Sequence, residues 1–126
     1  MKYILVMAGA VLFLSCMLST PRAAVAQTQA SMNAASGKSL QTSTASMNAA
    51  YKKLWSVLNS DQRAALKKSQ TAWTAYSTAE AAFLSSKVAG GSIYPTVYAQ
   101  NLTELTDKRT KQLKKAYKLF TTEGDM

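Results

Sequence analysis

Glycine and proline are missing from the whole stretch between Ser39 and Ala89, while alanine, leucine, lysine, glutamine and methionine abound there. This constrains the fold more than any motif, because the stretch is rich in residues that favour a helix and free of those that break one. Spacing says the same. Leu40, Thr44, Met47, Tyr51, Leu54 and Leu58 recur at steps of four and three, which marks one face of a helix. A second stripe runs Gln62, Leu66, Ser69, Trp73, Tyr76, Glu80, Phe83, and a third runs Tyr98, Leu102, Leu105, Arg109, Leu113, Ala116, Phe120.

The boundaries agree with three helices. Asn59-Ser60-Asp61 breaks the first stripe; Ser60 can cap the next helix, and Asp61 then faces its positive end. Ala89-Gly90-Gly91-Ser92 stops the second helix, glycine supplying a left-handed turn, and Pro95 suits the first turn of the third. Lys111, Lys114, Lys115 and Lys118 near the end of the third suit the negative end of its dipole. Short connections make neighbouring helices antiparallel. The expected fold is all-α: an antiparallel up-down-up three-helix bundle over residues 39–120, with a loose tail over 121–126. Residues 27–38, poor in large apolar side chains, read as a frayed extension of the first helix or a flexible arm.

The start of the chain reads differently. Lys2 precedes an apolar run through Leu18, and Ala24 and Ala26 are small residues spaced as a signal peptidase site requires. The run is short for a bilayer span of roughly 20 residues. Residues 1–26 are therefore expected to be a signal peptide cut after Ala26, giving a periplasmic or secreted protein. The competing reading is a lipoprotein signal cut before Cys16, whose preceding Phe13-Leu14-Ser15 loosely resembles a lipobox. With cleavage after Ala26 the one cysteine is lost, so no disulfide is available and stability comes from packing. The 126 residues become 100, enough for one modest core, and removal of Lys2 and Arg22 takes the net charge from +9 to +7.

The composition excludes several chemistries. Histidine, the commonest general base and metal ligand, is absent, which leaves no Cys/His zinc site in the mature chain. Glycosidase chemistry needs two carboxylates roughly 5–10 Å apart, and the six acids, Asp61, Glu80, Glu104, Asp107, Glu123 and Asp125, show no converging pair in such a bundle. No cofactor motif is present, and Gly90-Gly91-Ser92 reads as a plain turn. Polar residues on or beside the stripes, Asn48, Glu80, Thr106 and Arg109, read as a structural network, with the Arg109 guanidinium over the Trp73 ring and bonded toward Asn48 or Thr106. Lys108, Lys111, Lys114, Lys115 and Lys118, with the pairs Lys52/Lys53 and Lys67/Lys68, fall mainly off the stripes. They serve solubility, or contact with anionic envelope polymer or lipid headgroups. Nucleic acid is disfavoured by export and by the lack of interleaved aromatics.

The hexapeptide ASMNAA occurs at 30–35 and again at 45–50. A fifteen-residue offset leaves the copies about 60° apart around a helix, so Met47 lies on the apolar stripe and Met32 does not. Met47-Asn48-x-x-Tyr51-x-x-Leu54, Leu58, Gln62-Arg63-x-x-Leu66, Ser69-Gln70-x-x-Trp73-x-x-Tyr76, Glu80, Gly90-Gly91-Ser92 and Leu105-Thr106-x-x-Arg109-x-x-x-Leu113 follow one another in order. Over about Gln29 to Tyr117 this series resembles the lysozyme inhibitor LprI-like N-terminal domain family of small exported bacterial proteins. The family's cysteine positions correspond to Ala35, Ala81 and Asn101, none of them cysteine here, and Ser77-Thr78 stands where the family often has Arg-Asp. By this resemblance the first ASMNAA is the remnant of a stapled arm and the second the core of the first helix. The resemblance implies a non-enzymatic exported protein that binds, and inhibits, a lysozyme-type muramidase. The competing reading is a basic structural or adaptor protein on anionic envelope polymer or lipid headgroups.

Overall fold

A computed structural model of the chain describes residues 21–122. The apolar run, Cys16 and the last residues of the expected tail lie outside them. Every element among the described residues is a helix: α1 spans Pro21–Ser56, α2 Ser60–Ser85 and α3 Tyr94–Thr122, with a single 3-10 turn at Ser86–Val88. Residues 27–38 are part of α1 and continuous with it. They are held without large apolar contacts, since Asn33 accepts hydrogen bonds from the Thr96 hydroxyl and, at 3.0 Å, from Gln29 Nε2.

The cap of α2 is Asn59, one residue before the expected Ser60. Its side chain accepts from the Gln62 backbone N–H at 2.9 Å while Gln62 Oε1 accepts from the Asn59 N–H at 2.9 Å. The glutamine three positions on makes this reciprocal pair possible, and that advantage selects asparagine over the neighbouring serine. Asp61 lies in the first turn, against the positive helix end. Beyond Ser86–Val88 the chain turns at Gly90, whose φ of 77° is the left-handed conformation that a side chain disfavours. Gly90→Ala is expected to destabilise the fold by about 1 kcal/mol, read as a lower thermal midpoint. Pro95 lies in the first turn of α3, where its missing N–H costs little. The last turn of α3 contains no basic residue, because the helix runs on to Thr122, past the lysines expected to end it.

Contacts between the helices follow two rules. From α1 to α3 they join Gln29 or Asn33 to Thr96, Ser43 to Thr103 and Asp107, and Lys53 to Tyr117, pairs separated by a nearly constant length of chain. Those from α2 to α3 join Ser85 to Asn101 and Gln70 to Arg109, so that a later position on α3 meets an earlier one on α2.

The apolar core occupies one half of the structure. Met47, Ala50, Leu54, Leu58 and Leu113 are buried there, with Tyr51, Leu66, Trp73, Ala116 and Tyr117 packed around them. The other half is built from small residues, including buried Ser36, Ser43, Ser77, Ala81, Ser85, Thr96 and Ala99. Burying so many hydroxyls is tolerable because each finds an acceptor close by. Ser85 donates to the Ala81 carbonyl at 2.7 Å, Thr106 to Leu102 at 2.7 Å, Thr110 to Thr106 at 2.9 Å and Ser77 to Thr74 at 3.2 Å. Among the described residues no buried side-chain nitrogen or oxygen lacks a partner.

The second sequence stripe keeps its phase only as far as Trp73. Beyond it the buried line is Ser77, Ala81 and Ser85, while Tyr76 and Phe83 are 54% and 70% exposed. Small side chains let the backbones approach, and a ring in the same place would hold them apart. The third stripe is likewise displaced. Leu113 is buried but Phe120 is 40% exposed, and the line toward α1 runs through Thr96, Ala99, Thr106 and Thr110. Because α3 packs against both other helices, its polar residues face partners that a single apolar stripe cannot represent.

Candidate binding surfaces

Arg109 lies on the side of α3 that faces α2. Its Nε donates to Gln70 Oε1 at 3.0 Å, one terminal nitrogen to Ser69 Oγ at 3.0 Å, and the other to Gln112 Oε1 at 3.3 Å. Burial without a carboxylate partner lowers its pKa from the ordinary arginine range. These partners differ from those expected. Thr106 is buried and donates to the Leu102 carbonyl in its own helix, and Asn48 is exposed on α1. Trp73 is half-buried against the apolar core, and its ring takes no cation–π contact from Arg109 among those seen in the described residues. Three residues on a helix leave a net offset of about 60°, and that offset brings Arg109 round from Thr106 to face Gln70 and Ser69 of α2. Its long stem then reaches down α2 to the glutamine and serine that precede Trp73. Glu80 is half-buried and has no ion-pair partner among the described residues. The group is a neutral-acceptor clamp between two helices rather than a paired acid and base.

Two grooves open between α1 and α3. The first, of about 460 Å³, has Met32, Ser36 and Ser39 on one wall and Gln100, Glu104 and Asp107 on the other. Asp107 is exposed but fixed, since its carboxylate accepts from the hydroxyl of buried Ser43. Glu104 pairs with Lys108 at 3.3 Å across one helical turn, with 69% and 63% of those side chains exposed. Such a solvated pair is worth little, so the Glu104 carboxylate is available to a partner.

The second groove, of about 470 Å³, lies further along the same seam, floored by Ala49 and Ala50 and edged by Lys53, Lys114 and Lys118. Lys53 Nζ sits 4.6 Å from the centroid of the Tyr117 ring. Nearby, Tyr51 stacks on Trp55 at 5.9 Å, and the Arg63 guanidinium lies over the Trp55 ring at 5.4 Å while its Nε donates to the Trp55 carbonyl. All five lysines expected as a basic surface, Lys108, Lys111, Lys114, Lys115 and Lys118, are exposed. The groove gathers Lys114 and Lys118 with Lys53 of α1, while Lys108 lies further back along α3, one turn from Glu104. The partnership of Lys53 with α3 was not legible from spacing within one helix. Among the described residues no group of three or more acids or cysteines is placed to hold a metal ion, and no helix is long and apolar enough to cross a membrane.

The family profile described as Lysozyme inhibitor LprI matches residues 20–113. This chain belongs to that family. The match takes in α1, α2 and the greater part of α3, with Ser69, Gln70, Trp73 and Arg109 inside it. The Arg109 clamp therefore falls within the part of the chain that carries LprI character, as does the acidic groove. No curated protein and no solved structure matches the chain.

Proposed function

We propose that this is an exported, non-enzymatic binding protein that associates with a lysozyme-type muramidase and inhibits it. In this reading residues 1–26 are removed on export and the three helices pack up-down-up. The observation that carries it is the LprI family match over residues 20–113. The helix-to-helix pairings on α1, α2 and α3 support the bundle.

Charge poses a constraint. With +7 left of the chain's +9 once Lys2 and Arg22 are removed with residues 1–26, the protein repels a cationic muramidase at long range and slows its approach. The distribution of that charge relieves the problem. No lysine or arginine occurs in residues 39–51, 69–86 or 88–107, while Glu80, Glu104 and Asp107 all do. A cationic partner is thus best received where lysines are sparse, at the groove where Ser43 holds Asp107 in place and Glu104 is solvated.

Lysis of a peptidoglycan suspension by a cationic muramidase should be slowed by micromolar amounts of the purified exported protein. Glu104→Gln with Asp107→Asn should weaken that inhibition roughly tenfold while leaving the thermal midpoint in place, because one carboxylate is solvated and an asparagine still accepts from Ser43. Absence of both inhibition and complex at micromolar concentration would exclude the reading.

A further inference from the structure

The charge of this protein is gathered at one end. Of the described lysines, all except Lys38, Lys87 and Lys108, which pairs with Glu104, lie on α1 after Tyr51, on α2 before Ser69, or on α3 after Arg109. These three segments meet, as the contacts of Lys53 with Tyr117 and of Arg63 with Trp55 show. The one acid that they contain among the described residues is Asp61. Helix-end stabilisation does not account for the lysines of α3. They stop at Lys118 and leave the last turn without a cation, and the dipole acts mainly within that turn.

The same end exposes apolar side chains. Val57 is 39% exposed, Leu119 55% and Phe120 40%. Since Lys53 sits on Tyr117, Val57 one turn later comes level with the turn of α3 that carries Phe120, so these side chains and the lysines share one extremity. Half-buried Tyr51, Trp55 and Tyr117 stand just behind them. A soluble polyanion would engage the lysines and leave Val57, Leu119 and Phe120 in water. A bilayer interface takes both, with cations on headgroup phosphates and apolar tips at the acyl boundary.

We propose that this basic, apolar-tipped end docks the protein on an anionic bilayer surface, with the groove edged by Lys53, Lys114 and Lys118 receiving a lipid phosphate headgroup. The acidic groove lies toward the other end. Asp107 precedes Lys118 by eleven residues, about 16 Å along α3. Docking therefore leaves Asp107 and Glu104 accessible to a second partner.

The test uses the protein recovered after export of the full chain and sedimentation with phosphatidylcholine vesicles, with and without phosphatidylglycerol. Binding is expected only with the anionic lipid and should fall steeply as salt rises. Lys114→Gln with Lys118→Gln should lower partitioning roughly 25-fold, at about fivefold for each cation near an anionic surface. Lys38→Gln with Lys87→Gln removes the same charge from elsewhere and should lower it far less. Leu119→Ser with Phe120→Ser should weaken vesicle binding but not binding to soluble polyphosphate. Binding that ignores salt or the groove lysines, as insertion of a retained N-terminal apolar run would, overturns the proposal. So does an equal loss from both lysine pairs, or vesicle binding indifferent to Leu119 and Phe120. Circular dichroism of each variant confirms that the helices are retained.

Discussion

Leu54→Ala is expected to lower the unfolding free energy by about 3 to 4 kcal/mol. Leu54 is 2% exposed and sits among Met47, Ala50, Leu58 and Leu113, where truncation leaves a cavity that the three helices cannot close without moving together. The loss weighs heavily because the core is thin. Among the described residues seven of the fourteen buried ones are serines or threonines, so few leucines share the apolar contribution. A domain of this size has about 5–15 kcal/mol in all, and this one should lie toward the lower end. Urea unfolding followed by the helical circular dichroism signal should show the midpoint of Leu54→Ala falling by a large fraction of its parent value. Phe83→Ser is the control. Although phenylalanine is larger, its side chain is 70% exposed, and the change should stay within about 0.5 kcal/mol. Trp73→Ala should fall between the two, since the ring is only half-buried. Were Leu54→Ala to unfold at the parental midpoint, the core described around it would be wrong.

The difference between Leu54 and Phe83 marks where this sequence could be read and where it could not. The first stripe holds because Met47, Leu54 and Leu58 are both apolar and buried. The second fails after Trp73 because hydrophobic spacing gives weight to Tyr76 and Phe83, and none to Ser77, Ala81 and Ser85. A buried serine that donates to a carbonyl of its own helix costs little, yet it looks like a surface residue in a sequence. Residues 27–38 are hard to read for the same reason, since Asn33 and Gln29 meet Thr96 through hydrogen bonds rather than through apolar area. The turn at Gly90 was legible because few residues can adopt its φ. Arg109 stands out in the sequence as a charged residue on the third stripe. Its acceptors were not legible, because a flexible stem can reach a full turn in either direction. Lys53 joins Lys114 and Lys118 only through the packing of α1 on α3.

Small residues between α2 and α3 also make a covalent test possible. Asn101 Nδ2 donates to Ser85 Oγ at 3.2 Å, reaching toward the end of α2, while Arg109 reaches the other way, to Gln70. An antiparallel pairing that passes between these two contacts is expected to bring position 81 of α2 level with position 101 of α3. Ala81 is 0% exposed, so its methyl group is fully covered where the helices approach. Cysteines at this level have Cα atoms near enough for a disulfide if the separation lies between about 4.4 and 6.8 Å. Ala81→Cys with Asn101→Cys is therefore expected to cross-link on export into an oxidising compartment. Closing a loop of this size should stabilise the fold by about 3 kcal/mol, seen as a higher urea midpoint that returns to the parental value or below on reduction. Asn101→Cys alone should be mildly destabilising, since Ser85 then loses a donor. Cysteines that stay reduced in the folded protein would show that α2 and α3 are not level at 81 and 101. The Arg109 clamp would then require a different crossing of the two helices.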